Sequence, residues 1–225
     1  MRVSIVTRAR NRLEYTIRCV DAVARSTQEK DYEHIVVNQA SSDGTRQWLD
    51  WIAQHGGEWF SRVRAIQLEQ NLGDWGGMLH GAWQATGEYV VQLDNDVEVP
   101  TGWLGALVEV LDGTDYGAVA LNVKGSALNP VPIPKTDEFT LGSGNVLELG
   151  RREWVTACWM CRAKDFPRQR KWHSCDSFTR KIPGGSCRVL NLWASEIDSS
   201  DTESDRSRSL SQTKYPRTPQ VWEKL

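Results

Sequence analysis

Apolar residues along this chain follow two rhythms. Short apolar runs recur at Val3–Val6, His34–Val37, Val63–Leu68, Tyr89–Leu93 and Ala118–Val123, each about the length of one β-strand. Between them, apolar positions recur every three to four residues. Leu13, Ile17, Val20 and Val23 do so after Asn11, and Glu14 stands three residues beyond Asn11, a spacing that predicts a helix with a capping box. Trp48, Leu49, Ile52 and Ala53 mark a second helix. The turn Asn71-Leu72-Gly73 leads into a third over Trp75–Ala85, and Thr101 is placed to cap a fourth over Trp103–Leu111. Strands alternating with helices predict βαβ units, hence an α/β fold with a mostly parallel, Rossmann-like sheet flanked by helices. Ligands of such sheets bind beyond the carboxyl ends of the strands. The polar loops 7–12, 38–45, 71–77 and 94–96 all fall at that edge, so one active site is expected there.

Beyond residue 123 the rhythm loosens. Residues 124–145 are rich in Gly, Pro, Ser and Asn and read as a long loop or a β-ribbon. Trp154–Arg162 and Arg188–Trp193 read as strands, and Asp176–Lys181 as helix. From Ser195 to Pro219 the composition is Ser, Thr, Asp, Glu and Arg with few apolar residues, which predicts a flexible tail. The expected organisation is one domain over residues 1–193 and a polar tail over 194–225.

Bulk composition narrows the partners. The chain has 225 residues and a net charge of −2, so there is no basic excess to hold a nucleic-acid backbone. No apolar stretch approaches the ~20 residues that span a bilayer, although peripheral association with a membrane stays open. The apolar run near the N-terminus is too short for a signal peptide, so the expected location is cytoplasmic. The five cysteines are an odd number and are expected to be reduced thiols.

The sharpest chemical signal is Leu93-Asp94-Asn95-Asp96, at the end of the run Tyr89–Leu93. Residues i and i+2 of an extended segment point the same way, so Asp94 and Asp96 are expected to converge. Two carboxylates with no Cys or His beside them form a hard oxygen site, suited to Mn²⁺ or Mg²⁺, which in turn would hold a diphosphate. The competing reading is an Asp-rich turn, which the same residue types favour.

Taken together, the loops resemble those of a family 2 glycosyltransferase of the GT-A fold. Val3-Ser4-Ile5-Val6 with Asn11-Arg12 resembles the family's opening strand and Tyr-Asn-Arg turn. Residues 36–45, Val-Val-Asn-Gln-Ala-Ser-Ser-Asp-Gly-Thr, resemble its second loop. Asn71-Leu72-Gly73 with Gly76, Gly77 and Gly81 resembles its Asn-x-Gly helix start, and Gly87-Glu88-Tyr89 leading to Asp94-Asn95-Asp96 resembles its metal-motif strand. Two departures stand out. The acidic positions of the second loop are Asn38 and Gln39, whose amides can still meet a base edge. The family's Glu-Asp-x-Asp motif is reduced to Asp176.

The resemblance implies transfer of a sugar from a nucleoside-diphosphate sugar to an acceptor hydroxyl, divalent-metal dependent and inverting, in polysaccharide or glycoconjugate biosynthesis. It implies a nucleotide-sugar-binding half over 1–123 and an acceptor-side half over 124–193. Asp94 and Asp96 would carry the metal. Thr7, Arg8, Arg10, Asn38, Ser41, Asn71, Gly76, Asp94 and Asn95 would line the donor site. Arg12 belongs to the same basic loop, whose arginines suit phosphate but also suit a solvated turn. Asp43 is expected to be mainly structural. Asp176 is the candidate general base, against the competing role of helix N-cap, with Asp137 and Glu138 as fallbacks. Asp198 and His173 are weaker candidates for a third metal ligand and a metal or acceptor contact. The acceptor would be a glycan, lipid-linked or other hydroxyl compound, and Trp154, Trp159, Trp172 and Trp193 could form a platform for it or simply pack.

Three alternatives compete. Cys158 and Cys161, with His173, Cys175 and Cys187, could hold structural zinc, though the spacing is irregular. A sugar-phosphate nucleotidyltransferase would share the sheet, but its Gly-x-Gly-Thr-Arg loop is missing after the first strand. A catalytically silent nucleotide-sugar-binding or scaffold protein fits the missing acids at Asn38 and Gln39, and retention of Asp94 and Asp96 argues against it.

Overall fold

The computed structural model describes residues 2–29, 31–124, 132–167 and 174–197. The first half of the chain follows the apolar pattern closely. The order is β1 (Val3–Ala9), α1 (Leu13–Ser26), β2 (Tyr32–Gln39), α2 (Thr45–His55), β3 (Val63–Leu68), α3 (Gly73–Trp83), β4 (Tyr89–Asp94), a two-residue β5 (Val97–Glu98), α4 (Trp103–Gly113) and β6 (Ala118–Lys124). The region expected to be a loop or ribbon holds β7 (Asp137–Thr140), which forms a hairpin with β8 (Val146–Arg152) just beyond it. It is followed by β9 (Cys158–Arg162), α5 (Cys175–Thr179) and β10 (Ser186–Glu196). The last strand thus runs past Trp193 to Glu196. The rest of the tail, with Asp198, His173 and Trp172, lies outside the described residues.

All ten strands form one sheet in the order β3-β2-β1-β4-β9-β6-β10-β8-β7, with β5 on β10. Strands β3, β2, β1 and β4 are mutually parallel. Strand β9 runs antiparallel to both β4 and β6, so those two share a direction, and β10 is parallel to β6. Strands β8 and β5 oppose β10, and β7 opposes β8. Seven of the ten strands therefore point one way, and their carboxyl ends define one edge.

Side-chain alternation assigns the two faces. Val3 and Ile5 pack with Cys19 and Val23 of α1 and with Trp103, Leu104 and Leu107 of α4. Farther along the same face, Ala9 and Val36 meet Leu13 and Val20 of α1 and Trp48, Leu49 and Ile52 of α2. On the opposite face Val6, Ile35 and Val90 meet Met78 and Leu79 of α3. There Trp75, Trp159, Phe166 and Phe178 form an aromatic box with ring centroids 5.6–6.3 Å apart.

Three helix starts differ from expectation. Asn11 does not cap α1; the cap position is Arg12, with φ 57° and no side-chain cap bond. Thr101 does not cap α4; that position is Gly102, at φ 75°, which glycine adopts without steric cost. Asp176 is not the cap of α5, because Ser174 takes that place in a capping box with Ser177.

Candidate active site

Parallel pairing sets Arg8 of β1 beside Asp94 of β4 on the face covered by α3. The Arg8 guanidinium donates to Asp94 Oδ1, and its other nitrogen lies 3.9 Å from Asp74 Oδ1 in the first turn of α3. Gln92, two residues back on the same face, also donates to Asp94 Oδ1 at 3.3 Å. Burial pushes the Asp94 carboxyl upward; Arg8 opposes that, and the charges of Asp96 and Asp74 add to it. Burial alone would lower the Arg8 guanidinium, but Asp94 and Asp74 leave it raised overall.

Asp96 reaches the site by another route. Residues 95 and 96 form a turn, so the two carboxylates converge through that turn and not along an extended strand. Arg12 donates to Asp96 Oδ2 at 3.0 Å and stacks over Tyr15 at 4.0 Å. The Asp96 carbonyl accepts from the Ile197 amide just past the end of β10. Asn95 points the other way and donates to Thr16 Oγ1 at 3.0 Å.

The first two loops are tied to each other. The Asn11 amide donates to Ser41 Oγ, and Asn11 Oδ1 accepts from the Ser42 amide, both at 2.8 Å. Asp43 Oδ2 accepts from the Leu13 amide, which opens α1, and Asp43 Oδ1 accepts from Thr45, which opens α2. A single carboxylate therefore satisfies donors at both helix starts, the structural role expected for it.

The remaining candidates are placed unevenly. Thr7 is fully buried on the α1 side, sharing a 2.9 Å hydrogen bond with His34. Asn38 is also fully buried; it donates to Gln67 Oε1 at 2.7 Å and accepts from the Ser41 amide. Gln39 supports α3 by accepting from the Leu72 amide, and Asn71 accepts from the Gly73 amide. Gly76 is buried within α3, and Arg10 is exposed. Asp176 sits in the first turn of α5. The neighbouring Cys175 thiol is raised mainly by burial, and it also feels the charges of Asp94, Arg8 and Asp176, so α5 borders the Asp94 site. Asp137 accepts from the Tyr116 hydroxyl in the distant β7–β8 hairpin. Sequence reasoning missed Asp74 and Gln92, whose only signal was the position of one just after Asn-Leu-Gly and of the other two residues before Asp94.

Trp159 is fully buried, whereas Trp193 is 42% exposed on β10 with the Lys124 ammonium over its ring. Cys158 and Cys161 belong to the cores on opposite faces of the sheet, so they do not form a ligand pair. Among the described residues, no group of three or more His, Cys, Asp or Glu side chains could hold a metal ion by itself. The Asp94/Asp96 pair fits an ion of another kind, one bound through one or two carboxylates and completed by substrate phosphates. Crowded negative charge at Asp94 is what such a cation relieves.

This arrangement, with carboxylates and arginines at the carboxyl edge of a sheet whose first half is parallel, defines a GT-A fold. The model of glycosyl transferase family 2 matches residues 4–175, and the chain belongs to that family. It is 33% identical over 100 residues to the undecaprenyl-phosphate 4-deoxy-4-formamido-L-arabinose transferase of Edwardsiella ictaluri, which covers 44% of this chain and 28% of the relative. A transferase of the same name from Enterobacter sp. is 32% identical over 83 residues, or 37% of this chain and 24% of its own. The match thus spans about a quarter of these curated relatives. Among solved structures, S. aureus TarS 1–349 in complex with UDP-GlcNAc has a TM-score of 0.64 at 18% identity, covering 90% of this chain and 61% of that one. Mannosyltransferase PcManGT from Pyrobaculum calidifontis, in complex with GDP-Man and Mn²⁺, has a TM-score of 0.62 at 17% identity, covering 87% and 56%. These likenesses establish the fold. No helix among the described residues is long and apolar enough to cross a membrane.

Proposed function

We propose that this protein transfers a sugar, with inversion, from a nucleoside-diphosphate sugar to an acceptor hydroxyl, using Mn²⁺ or Mg²⁺ on Asp94 and Asp96. The observation that carries this reading is the pair of carboxylates at the end of β4 and in the turn after it, one engaged by Arg8 at the end of β1 and the other by Arg12 at the start of α1. Membership of the family supports it. So does the Mn²⁺ found with nucleotide in PcManGT and in GalNAc-T7, although those proteins share only the fold.

The roles follow from charge and reach. The diphosphate leaving group gains negative charge as the glycosidic bond breaks, and a divalent ion supplies Lewis-acid stabilisation of that charge. Arg8 and Arg12 add positive charge at the same edge, and a guanidinium fork matches phosphate oxygens. Asn95 orients the turn between the two carboxylates through Thr16. Ser41, Asn71, Gly76 and Arg10 line the donor side in this reading, with Thr7 and Asn38 acting from beneath as buried supports. Asp176 takes the acceptor proton; with Ser174 as helix cap, its carboxylate is not needed for capping. The acceptor is a glycan, lipid-linked or other hydroxyl compound.

A thermal-shift panel of nucleoside diphosphates, each with and without Mn²⁺, tests the proposal, because a ligand of the native state raises the melting temperature by mass action. The expected result is stabilisation by one diphosphate, dependent on the metal and lost in Asp96→Ala, which also abolishes metal-dependent turnover. No shift with any diphosphate in a folded sample would favour a silent binding or scaffold protein.

A further inference from the structure

We propose that Arg8 is a displaceable occupant of the cation position on Asp94, so that it competes with the divalent ion and sets the ion's affinity. This rests on the metal-site reading above. Asp94 Oδ1 accepts from both Arg8 and Gln92, so both lone pairs of that oxygen are taken. An ion on that oxygen would need one of the two donors to leave, and a guanidinium and a divalent ion on one carboxylate repel each other. Arg8, the charged one of the two donors, is the one the ion would displace.

The fold gives it somewhere to go. Asp74 lies 3.9 Å from the second guanidinium nitrogen, and its side chain is 97% exposed and free to follow. Arg12 differs in this respect. It is held over Tyr15 and on Asp96, with its backbone fixed at the start of α1. One arginine thus stays while the other moves from Asp94 toward Asp74 and the incoming phosphates. The ion and the diphosphate then help each other bind: the ion frees Arg8, and the diphosphate gives it a new anionic partner.

Mn²⁺ binding followed by electron paramagnetic resonance tests this, with Mn²⁺ alone and with Mn²⁺ plus inorganic pyrophosphate. Wild type is expected to bind Mn²⁺ weakly alone and much more tightly with pyrophosphate. Arg8→Gln is expected to tighten binding of Mn²⁺ alone by about tenfold, one charge-assisted pair's worth, and to shrink the gain from pyrophosphate. Arg8→Lys keeps the charge, and hence the fold, but loses the fork; it is expected to tighten binding less. Asp74→Asn, a solvent-facing change, is expected to weaken Mn²⁺ binding in the wild-type background and to have no effect beside Arg8→Gln. Unchanged or weaker Mn²⁺ binding in both Arg8 variants overturns the competition. Equal weakening by Asp74→Asn in both backgrounds does so too, since Asp74 would then act on the ion directly. If no protein binds Mn²⁺ even with pyrophosphate, or if Asp94→Asn binds it as wild type does, the metal-site reading beneath the proposal falls instead.

Discussion

Two carboxylates, the half-buried Asp43 and the buried Glu33, show how single residues fix the frame around the site. Asp43 accepts three hydrogen bonds, one at the start of α1 and two at the start of α2. Asp43→Ala leaves those donors unpaired and is expected to cost about 2–3 kcal/mol, measured by chemical denaturation. Glu33 sits at the other end of the sheet. Burial would raise its carboxyl, but bonds from Thr86, Ser4 and Arg64 outweigh that and lower it from the ordinary 4.5 to about 2. A carboxylate lowered by folding stabilises the protein fully above its ordinary value and loses that contribution as pH falls. Stability is therefore expected to decline between about pH 4.5 and pH 2, and Glu33→Gln is expected to flatten that part of the curve. Neither role was open to sequence inspection in the same degree. Asp43 sat in a recognisable loop, whereas the partners of Glu33 come from β1, from β3 and from the loop before β4. Asn38 and Gln39 show the limit more sharply. Their amides suggested contact with a base, but they are committed to Gln67, Ser41 and Leu72, pairings set by strand order and invisible to local pattern.

At the scale of elements, α3 and the helix starts decide how closely the layers meet. A Cβ at Gly81 would lie 2.5 Å from Val6 Cγ1 and 2.8 Å from Val37 Cγ2; one at Gly77 would lie 2.6 Å from the Gln39 amide carbon. Helix α3 therefore rests against β1 and β2 through bare backbone. Gly81→Ala forces the helix outward and is expected to destabilise by roughly 1–3 kcal/mol, read from the shift in denaturation midpoint. Strands and helices of the first half were legible because apolar period and turn residues agreed there. The helix caps were not, because they depend on partners from other loops. Asn11 looked like a cap and instead bonds Ser41 and Ser42. Strand β10 was read too short for a similar reason. Its register slips between Val189 and Trp193, and the Asn191 side chain bonds the backbone of β8 at Glu148 and Val146. That irregularity breaks the alternation a strand is recognised by. Among the described residues, the non-glycine residues with left-handed backbones are Asn11, Arg12, Ala40 and Ala157. All lie at the carboxyl edge, and each costs about 1–2 kcal/mol that the rest of the fold must offset.

Over the whole molecule, residues on both sides of position 123 share one sheet. Strand β9 lies between β4 and β6, and β10 takes the other side of β6. Residues 1–123 by themselves would hold β6 with neither of its neighbours. That fragment is expected to stay unfolded or aggregate, with no cooperative transition by circular dichroism, while the chain through residue 197 unfolds in one step.

The same interleaving has a consequence during synthesis. Strands β1 to β4 can pair as soon as they emerge, since each neighbour is already made. The strand that must close the gap between β4 and β6 begins only at Cys158, and the one that covers the far side of β6 begins at Ser186. Until then the nascent chain carries apolar edges of β4 and β6 open to other chains. Translation speed between residues 124 and 186, and chaperone cover over that interval, should therefore govern how much of this protein reaches its native state.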